Sequence, residues 1–323
     1  MVNLISENMD GLIQLSLESN RFNETIPESL SGLSKLRLLD VAANSFIGTL
    51  TEHHFANLTN LLYMGLSCNS LQLNVTKDWV PSFHADTILM YSCTISPDFP
   101  AWLKTQTVLA SLYLSSARIF GNVPTWFWNL LSNSLALLNL SHNNLTGILP
   151  IFWNSVLEVI DLSHNKFEGL IPEWISPGLN IIDLRNNSLF GHIPLSFATA
   201  NQIQALSLSH EHINGSIQFF FFCNLSTLIV LDLSSNNMSG ELPHCWNQLS
   251  WLAIIDLSNN NFFGNIPNAI VSLTNLQSLH LRKNDLSGNL PFSLKNANKL
   301  VVLHVNTRTR HPNFSIIAVV GKD

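Results

Sequence analysis

Apolar residues recur along this chain in one phase. "LIVLDLSSNNMSGELP" (Leu228 to Pro243) is followed by "LAIIDLSNNNFFGNIP" (Leu252 to Pro267) and "LQSLHLRKNDLSGNLP" (Leu276 to Pro291). Earlier copies begin at Leu135, Leu157 and Leu179. The shared pattern is L-x-x-L-x-L, two polar residues, Asn, then L-x-G-x-I/L-P. The Asn stands at Asn20, Asn44, Asn69, Asn143, Asn165, Asn187, Asn236, Asn260 and Asn284, and Cys93, Ala117, Glu211 and Arg308 fill its slot in degenerate copies. These positions make thirteen copies, mostly 24 residues apart, over a single repeat domain 1–323. Residues 1–11 read as the tail of a truncated repeat, 12–299 as twelve repeats and 300–323 as a degenerate last one.

A fixed period of this length marks a solenoid. The last two leucines of L-x-x-L-x-L alternate on a short strand, so they share one face while the residues between them share the other. One unit cannot bury its leucines alone, and stacked neighbours build a continuous core. The recurrent Asn is suited to hydrogen-bonding backbone groups of its own turn and of its neighbour's. Gly-x-Ile-Pro then turns the chain onto the outer side, where Pro stops a strand. The expected fold is an α/β solenoid: a right-handed coil with a concave parallel β-sheet.

Composition narrows the function. Only 11% of residues are charged, the net charge is -6 and the pI is near 6.0, so there is no basic field for nucleic acid. The four cysteines lack the paired spacing of a zinc site. No apolar run approaches the roughly 18 residues of a membrane span, and the first residues show no signal-peptide pattern. No nucleophile, base and orienting group share a plausible locus, so no enzyme and no cofactor are expected.

The repeats resemble the extracellular leucine-rich repeats of plants, whose 24-residue unit carries L-x-G-x-I-P after the Asn. The stretches "LQLNVTKDWVPSF" (Leu71 to Phe83), "YSCTISPDFPAWLKTQ" (Tyr91 to Gln106), "PTWFWN" (Pro124 to Asn129) and "LPHCWNQL" (Leu242 to Leu249) narrow this further. They look like the plant receptor-like proteins of the group that detects fungal ethylene-inducing xylanase. The resemblance implies a cell-surface immune receptor ectodomain, on the extracellular side of the plasma membrane. Its expected partners are a peptide or protein elicitor and a co-receptor kinase. Alternatives are a secreted inhibitor of microbial cell-wall hydrolases, similar to polygalacturonase inhibitors, and a truncated receptor without an independent role. The cysteine-paired caps of such ectodomains are not evident, so the coil is expected to have uncapped ends.

Ligand contacts are expected on the concave face, where side chains depart from the repeated Asp-Leu-Ser of Asp161, Asp232 and Asp256. The departures are Tyr63, Tyr91, Tyr113, His142, His164, Arg185, His210, His280, Arg282, Lys283 and His304. Tyr and Arg are the types that most often dominate interfaces. Arg308 and Arg310 have the Arg-x-Arg spacing of some peptide-sensing relatives, but fall past the strand. Cys223 and Cys245 share nearly the same phase on the outer side, and secretion would allow a bridge worth about 3 kcal/mol. Cys68 and Cys93 are expected to be free. Sequons at Asn23, Asn57, Asn74, Asn139, Asn144, Asn186, Asn214, Asn224, Asn237 and Asn313 are candidate glycosylation sites, with Asn139 and Asn186 on the concave face. Trp102, Trp126 and Trp174, two residues after the repeat proline, read as filler.

One copy invites a metal reading. "LSLSHEHINGSIQFFFFC" (Leu206 to Cys223) sets His210, Glu211 and His212 in a row. On an extended segment the histidines point one way and Glu211 the other, so the three cannot close around one ion. In register, Glu211 occupies the Asn slot. A carboxylate there is costly unless it turns outward or stays protonated, and the copy is expected to be loosened.

Overall fold

A computed structural model describes residues 9–95, 97–131, 134–151, 156–174, 176–217, 223–306 and 315–319. By internal packing the chain divides into two compact units. The first comprises Met1–Gly147 and Val159–Asn165, the second Ile148–Glu158 and Lys166–Asp323.

Every repeat contributes one three- to five-residue strand over its L-x-L segment. In the first unit seven such strands lie parallel in chain order: Gln14–Ser16, Leu38–Asp40, Tyr63–Gly65, Thr87–Leu89, Ser111–Tyr113, Leu137–Asn139 and Val159–Asp161. In the second unit six do: Ile181–Asp183, Ala205–Ser207, Val230–Asp232, Ile254–Asp256, Ser278–His280 and Val302–Asn306. The register keeps equivalent residues abreast; Leu206, Leu231, Ile255 and Leu279 form one row and are completely buried. That burial, about 1.5–3 kcal/mol per side chain, is what each coil gains from its neighbour.

The recurrent Asn closes the turn after the strand. Asn236 donates to Leu233 O and Ser234 O of its own turn (both 3.2 Å) and to Leu208 O of the preceding coil (2.7 Å). Its Oδ1 accepts the Ile213 N–H of that coil at 2.9 Å. Asn44, Asn69, Asn143, Asn165, Asn260 and Asn284 repeat the pattern. A polar residue is tolerated inside because every donor and acceptor it brings is used.

Three features depart from the sequence expectation. The residue before the Asn slot sits in the left-handed region, with φ between 52° and 59° from Ser19 through Lys283. Its N–H reaches the next coil, as in His142 N–H to Ser163 O (2.9 Å). The Asn-Leu-x-Gly segment does not simply turn. It forms strands of a second parallel sheet, which in the second unit runs Lys166–Leu170, Ser188–Gly191, His212–Ser216, Asn237–Glu241, Asn261–Asn265 and Asp285–Ser287. The repeat glycine is required there: Gly240 has φ +96°, and a Cβ would come within 3.0 Å of Ser216 Cβ. After the proline the outer segment is mostly a short 3-10 turn, such as Asn268–Ser272 behind Pro267, and at Thr125–Leu131 it is an α-helix.

Ser315–Val319 lies antiparallel on Val302–Asn306, pairing Val302 with Val319 and Asn306 with Ser315. A strand edge left bare exposes a row of unpaired N–H and C=O groups, which this segment satisfies.

Candidate functional site

In the first unit the solvent side of the long sheet carries Tyr63, Tyr91 and Tyr113 in three different phases. Tyr63 is abreast of Thr87 and Ser111, while Tyr113 is abreast of Leu89 and Gly65. Tyr91 follows the Thr87–Leu89 strand, its N–H held by Ser67 Oγ at 3.1 Å. The Tyr63 hydroxyl hydrogen-bonds Asp40, and burial, reinforced by that carboxylate, pushes its pKa up to about 12. Asp40 is itself buried, with Oδ1 accepting the Ala42 N–H at 3.0 Å. Gly65 makes the room: a Cβ there would meet Asp40 Oδ1 at 2.7 Å and Tyr63 Cε1 at 3.0 Å. Burial raises the Tyr91 hydroxyl too, helped by its hydrogen bond to Cys68.

In the second unit two rows cross the face. Ile181, Ala205, Val230, Ile254, Ser278 and Val302 form a largely apolar one; Asp183, Ser207, Asp232, Asp256, His280 and His304 form a polar one. An open cavity is lined by members of both rows together with Arg185. The aspartates hold the scaffold: Asp232 Oδ1 accepts the Ser234 N–H (3.0 Å) and hydroxyl (2.7 Å), and Asp256 does the same with Ser258. Arg185 Nε lies 3.4 Å from Asp183. His280 and His304 meet through their Nδ1 atoms at 2.8 Å, and Ser278 Oγ is 2.7 Å from His280 Nε2. Burial holds the His280 pKa below the usual imidazole range, with the neighbouring His304 and Arg282 adding to the shift.

Four of the expected strand-face residues are relocated. His142, His164, His210 and Lys283 occupy the left-handed turn position that precedes the Asn slot, beyond the strand. His142 and His164 stack there with ring centroids 4.0 Å apart. Asn186 is moved for the same reason, so a sugar on it would stand at the turn and not on the strand face. Asn139 stays on its strand, half-buried, with its amide donating to Asp161 at 3.0 Å. Asn144, Asn214 and Asn237 are exposed on the second sheet; Asn23, Asn57, Asn74 and Asn224 are exposed as well. Arg308, Arg310, Asn313 and the phenylalanines at 219–222 lie outside the described residues.

Cys223 and Cys245 are joined as a disulfide, Cα–Cα 5.7 Å. Cys68 is exposed and free; Cys93 is free and buried in the Asn slot, where its thiol donates to Leu66 O at 3.2 Å. Trp102 and Trp174 are buried filler, but Trp126 is only half-buried and Phe127 and Trp128 fill the space instead. Among the described residues no group of three or more His, Cys, Asp or Glu could hold a metal ion, and no helix is long and apolar enough to cross a membrane.

Glu211 does not turn outward. It is buried in the Asn slot, its carboxyl accepting the Asn187 N–H at 2.6 Å and the Leu189 N–H at 2.7 Å. Burial pushes its pKa up to about 8, against the opposing pull of those two N–H groups. The second of the two alternatives, a protonated acid, is the one adopted at neutral pH and below.

Repeats, parallel strands and Asn ladder together define a leucine-rich-repeat protein, and the Leucine Rich Repeat family model matches at 11–33, 134–155, 156–177, 178–200, 227–249, 251–273 and 275–297. Similarity to known sequences places it further: the chain is a leucine-rich-repeat protein whose homologues are plant receptor-like proteins. Receptor-like protein EIX2 of Solanum lycopersicum is 38% identical over 203 residues, 63% of this chain and 18% of that protein. Receptor-like protein EIX1 of the same species is 40% identical over 100 residues, 31% of this chain and 10% of that protein. The matched stretches thus span under a fifth of either relative. Among solved structures, a TDR receptor superimposes with a TM-score of 0.77 at 24% identity, covering 92% of this chain and 56% of that one. The Arabidopsis receptor kinase HAESA ectodomain, in complex with an IDA peptide hormone ligand, gives 0.73 at 25% identity, covering 92% and 54%.

Proposed function

We propose that this chain is the ligand- or co-receptor-binding section of a plant cell-surface immune or signalling receptor ectodomain, working outside the plasma membrane. It takes a peptide or protein elicitor, assembles with a co-receptor kinase, and performs no catalysis. The observation that carries the reading is the strand face. The tyrosines of the first unit, and separately the polar row from Asp183 to His304 of the second, lie on strands whose leucines and asparagines already account for the fold. Homology to receptor-like proteins favours this over a secreted hydrolase inhibitor.

Biolayer interferometry of the secreted chain against a fungal ethylene-inducing xylanase and a panel of plant peptide hormones tests it. Alanine at Tyr63, Tyr113, Arg185, Arg282 or His304 should weaken the captured ligand about tenfold or more at one site at least, as truncation of a central contact does. Binding indifferent to all five substitutions, or absent from every probe, would count against the strand face as the receptor surface.

A further inference from the structure

Two histidines end the polar row of the second unit, and the strand register brings them together. His280 and His304 are abreast on adjacent parallel strands, so their side chains rise side by side from one face. The rings stand nearly perpendicular, at 84°, with centroids 4.5 Å apart, and the two Nδ1 atoms face each other at 2.8 Å. Two facing lone pairs repel unless something positive holds them. In the free chain that is a single proton, carried on Nδ1 of one ring. Both side chains are only half-buried, and His280 stands in the wall of the open cavity on this face, of about 280 Å³.

The spacing selects an ion. An imidazole nitrogen binds a first-row metal at about 2.0–2.1 Å, so two such bonds at a right angle span about 2.8–3.0 Å and two at the tetrahedral angle about 3.3–3.4 Å. The observed 2.8 Å fits the right angle of a tetragonal ion. Copper(II) takes that geometry and binds a given nitrogen site more tightly than the other first-row divalent ions. Behind His280, Ser278 Oγ lies 2.7 Å from Nε2. Once Nδ1 gives its lone pair to a metal, the ring proton belongs on Nε2, and Ser278 is placed to accept it. Such an outer hydrogen bond is what fixes a ligating imidazole. Asp256 is abreast of His280 on its other side, with Asp232 one strand further, and both carboxylates favour a cation here. Arg282 opposes them, but it is exposed, where solvent and salt screen its charge.

We infer that His280 and His304 form a copper(II) site, each ligating through Nδ1, with Ser278 orienting His280. The two nitrogens take adjacent corners of the copper plane, and the other corners are open to water or to a nitrogen or oxygen donor of a bound partner. No proton is released, because the ring that carried it on Nδ1 carries it on Nε2 instead. The other histidine pair cannot do this. His142 and His164 stack at 10° between planes, so their lone pairs run parallel and do not converge.

Copper(II) titration of the full chain at neutral pH, with glycine as competing chelator and no peptide present, tests the site independently of the receptor reading. One site should bind most tightly, and its electron paramagnetic resonance spectrum should show coupling to two imidazole nitrogens. His280→Gln and His304→Gln should each weaken that site about a hundredfold or more, and Ser278→Ala, which removes only the outer partner, about tenfold. In NMR spectra the ring signals of His280 and His304 should be the first to broaden, before those of His142 and His164. Unchanged affinity in both glutamine variants, a spectrum without imidazole coupling, or first broadening at other histidines would overturn the site. Unchanged affinity in Ser278→Ala would overturn the orienting role. Should a glutamine variant fail to fold by circular dichroism, the spectra of the native chain still decide.

Discussion

Glu211 accepts the backbone N–H of Leu189 at 2.7 Å from the slot where the next coil places Asn236. The two side chains do the same accepting work. They differ in what they donate: Asn236 supplies N–H groups to Leu208 O, Leu233 O and Ser234 O, and a carboxyl group has at most one O–H to offer.

Glu211→Asn should therefore stabilise the coil. The amide restores donors to the carbonyls at the equivalent positions, Leu184, Leu208 and Ser209, and removes the cost of a buried acid. A gain of about 1–2 kcal/mol is expected at neutral pH, read as a raised Tm in thermal melts. An unchanged or lowered Tm would show that the neighbouring coils have already adapted to the acid.

The same acid gives the fold a pH dependence of known sign. Its folded pKa is raised to about 8 from an ordinary carboxylate value near 4.5, so the folded chain holds a proton that the unfolded chain has lost. The contribution of Glu211 is thus most favourable below pH ~4.5 and is lost as pH rises toward ~8. Melts at intervals from pH 5 to 9 should show Tm falling for the native chain relative to Glu211→Asn, the difference widening until about pH 8. Because the two proteins differ only at this side chain, the difference isolates the carboxyl group. Parallel curves would exclude it.

Gly65 is the residue that admits the Asp40–Tyr63 contact. Gly65→Ala would press a methyl group against Asp40 Oδ1 and Cγ, at 2.7 and 2.9 Å, and should cost about 1–3 kcal/mol. Asp40→Asn is milder. It should lower the Tyr63 titration from about 12 without returning it to 10, since burial is the larger cause. Ultraviolet titration of the phenolate, with Tyr63→Phe as the subtraction control, measures this. A full return to 10 would make Asp40 the main cause.

The disulfide closes a loop between Cys223 and Cys245, 22 residues apart. Replacing both by Ser should cost about 3 kcal/mol in the chain-entropy account. The native chain with and without reductant, compared with the double variant, checks it; a native chain that melts identically in both conditions would show no bridge in solution.

Much of the fold was legible from spacing alone. Leu231 and Leu233 alternate, Asn236 follows at a fixed distance, and Gly240 and Pro243 punctuate; with the leucine spacing kept through thirteen copies and the Asn through nine, that suffices for stacked parallel strands. The candidate site was less legible. The tyrosines were identified as strand-face departures, but only packing shows that Tyr63 leans on Asp40 over a glycine. His142, His164, His210 and Lys283 lie two residues past the inward Leu140, Leu162, Leu208 and Leu281, where the strand has already ended, so strand alternation does not carry to them. The signal for the correction was present, since these residues precede the Asn slot, where small and polar residues suited to a left-handed turn alternate with histidine.

The sequence by itself determined what depends on period: the repeat unit, the inward leucines and the Asn ladder. A period of 24 fixes which residues meet their equivalents in the next coil, because every coil must bury the same stripe. Tertiary structure decided what depends on non-equivalent neighbours. It set the second sheet at the L-x-G segment, the antiparallel strand on the last repeat, and the His280–His304 contact. It also turned Glu211 inward. That orientation follows from two backbone N–H groups of the preceding coil, Asn187 and Leu189, which need an acceptor whatever residue fills the slot.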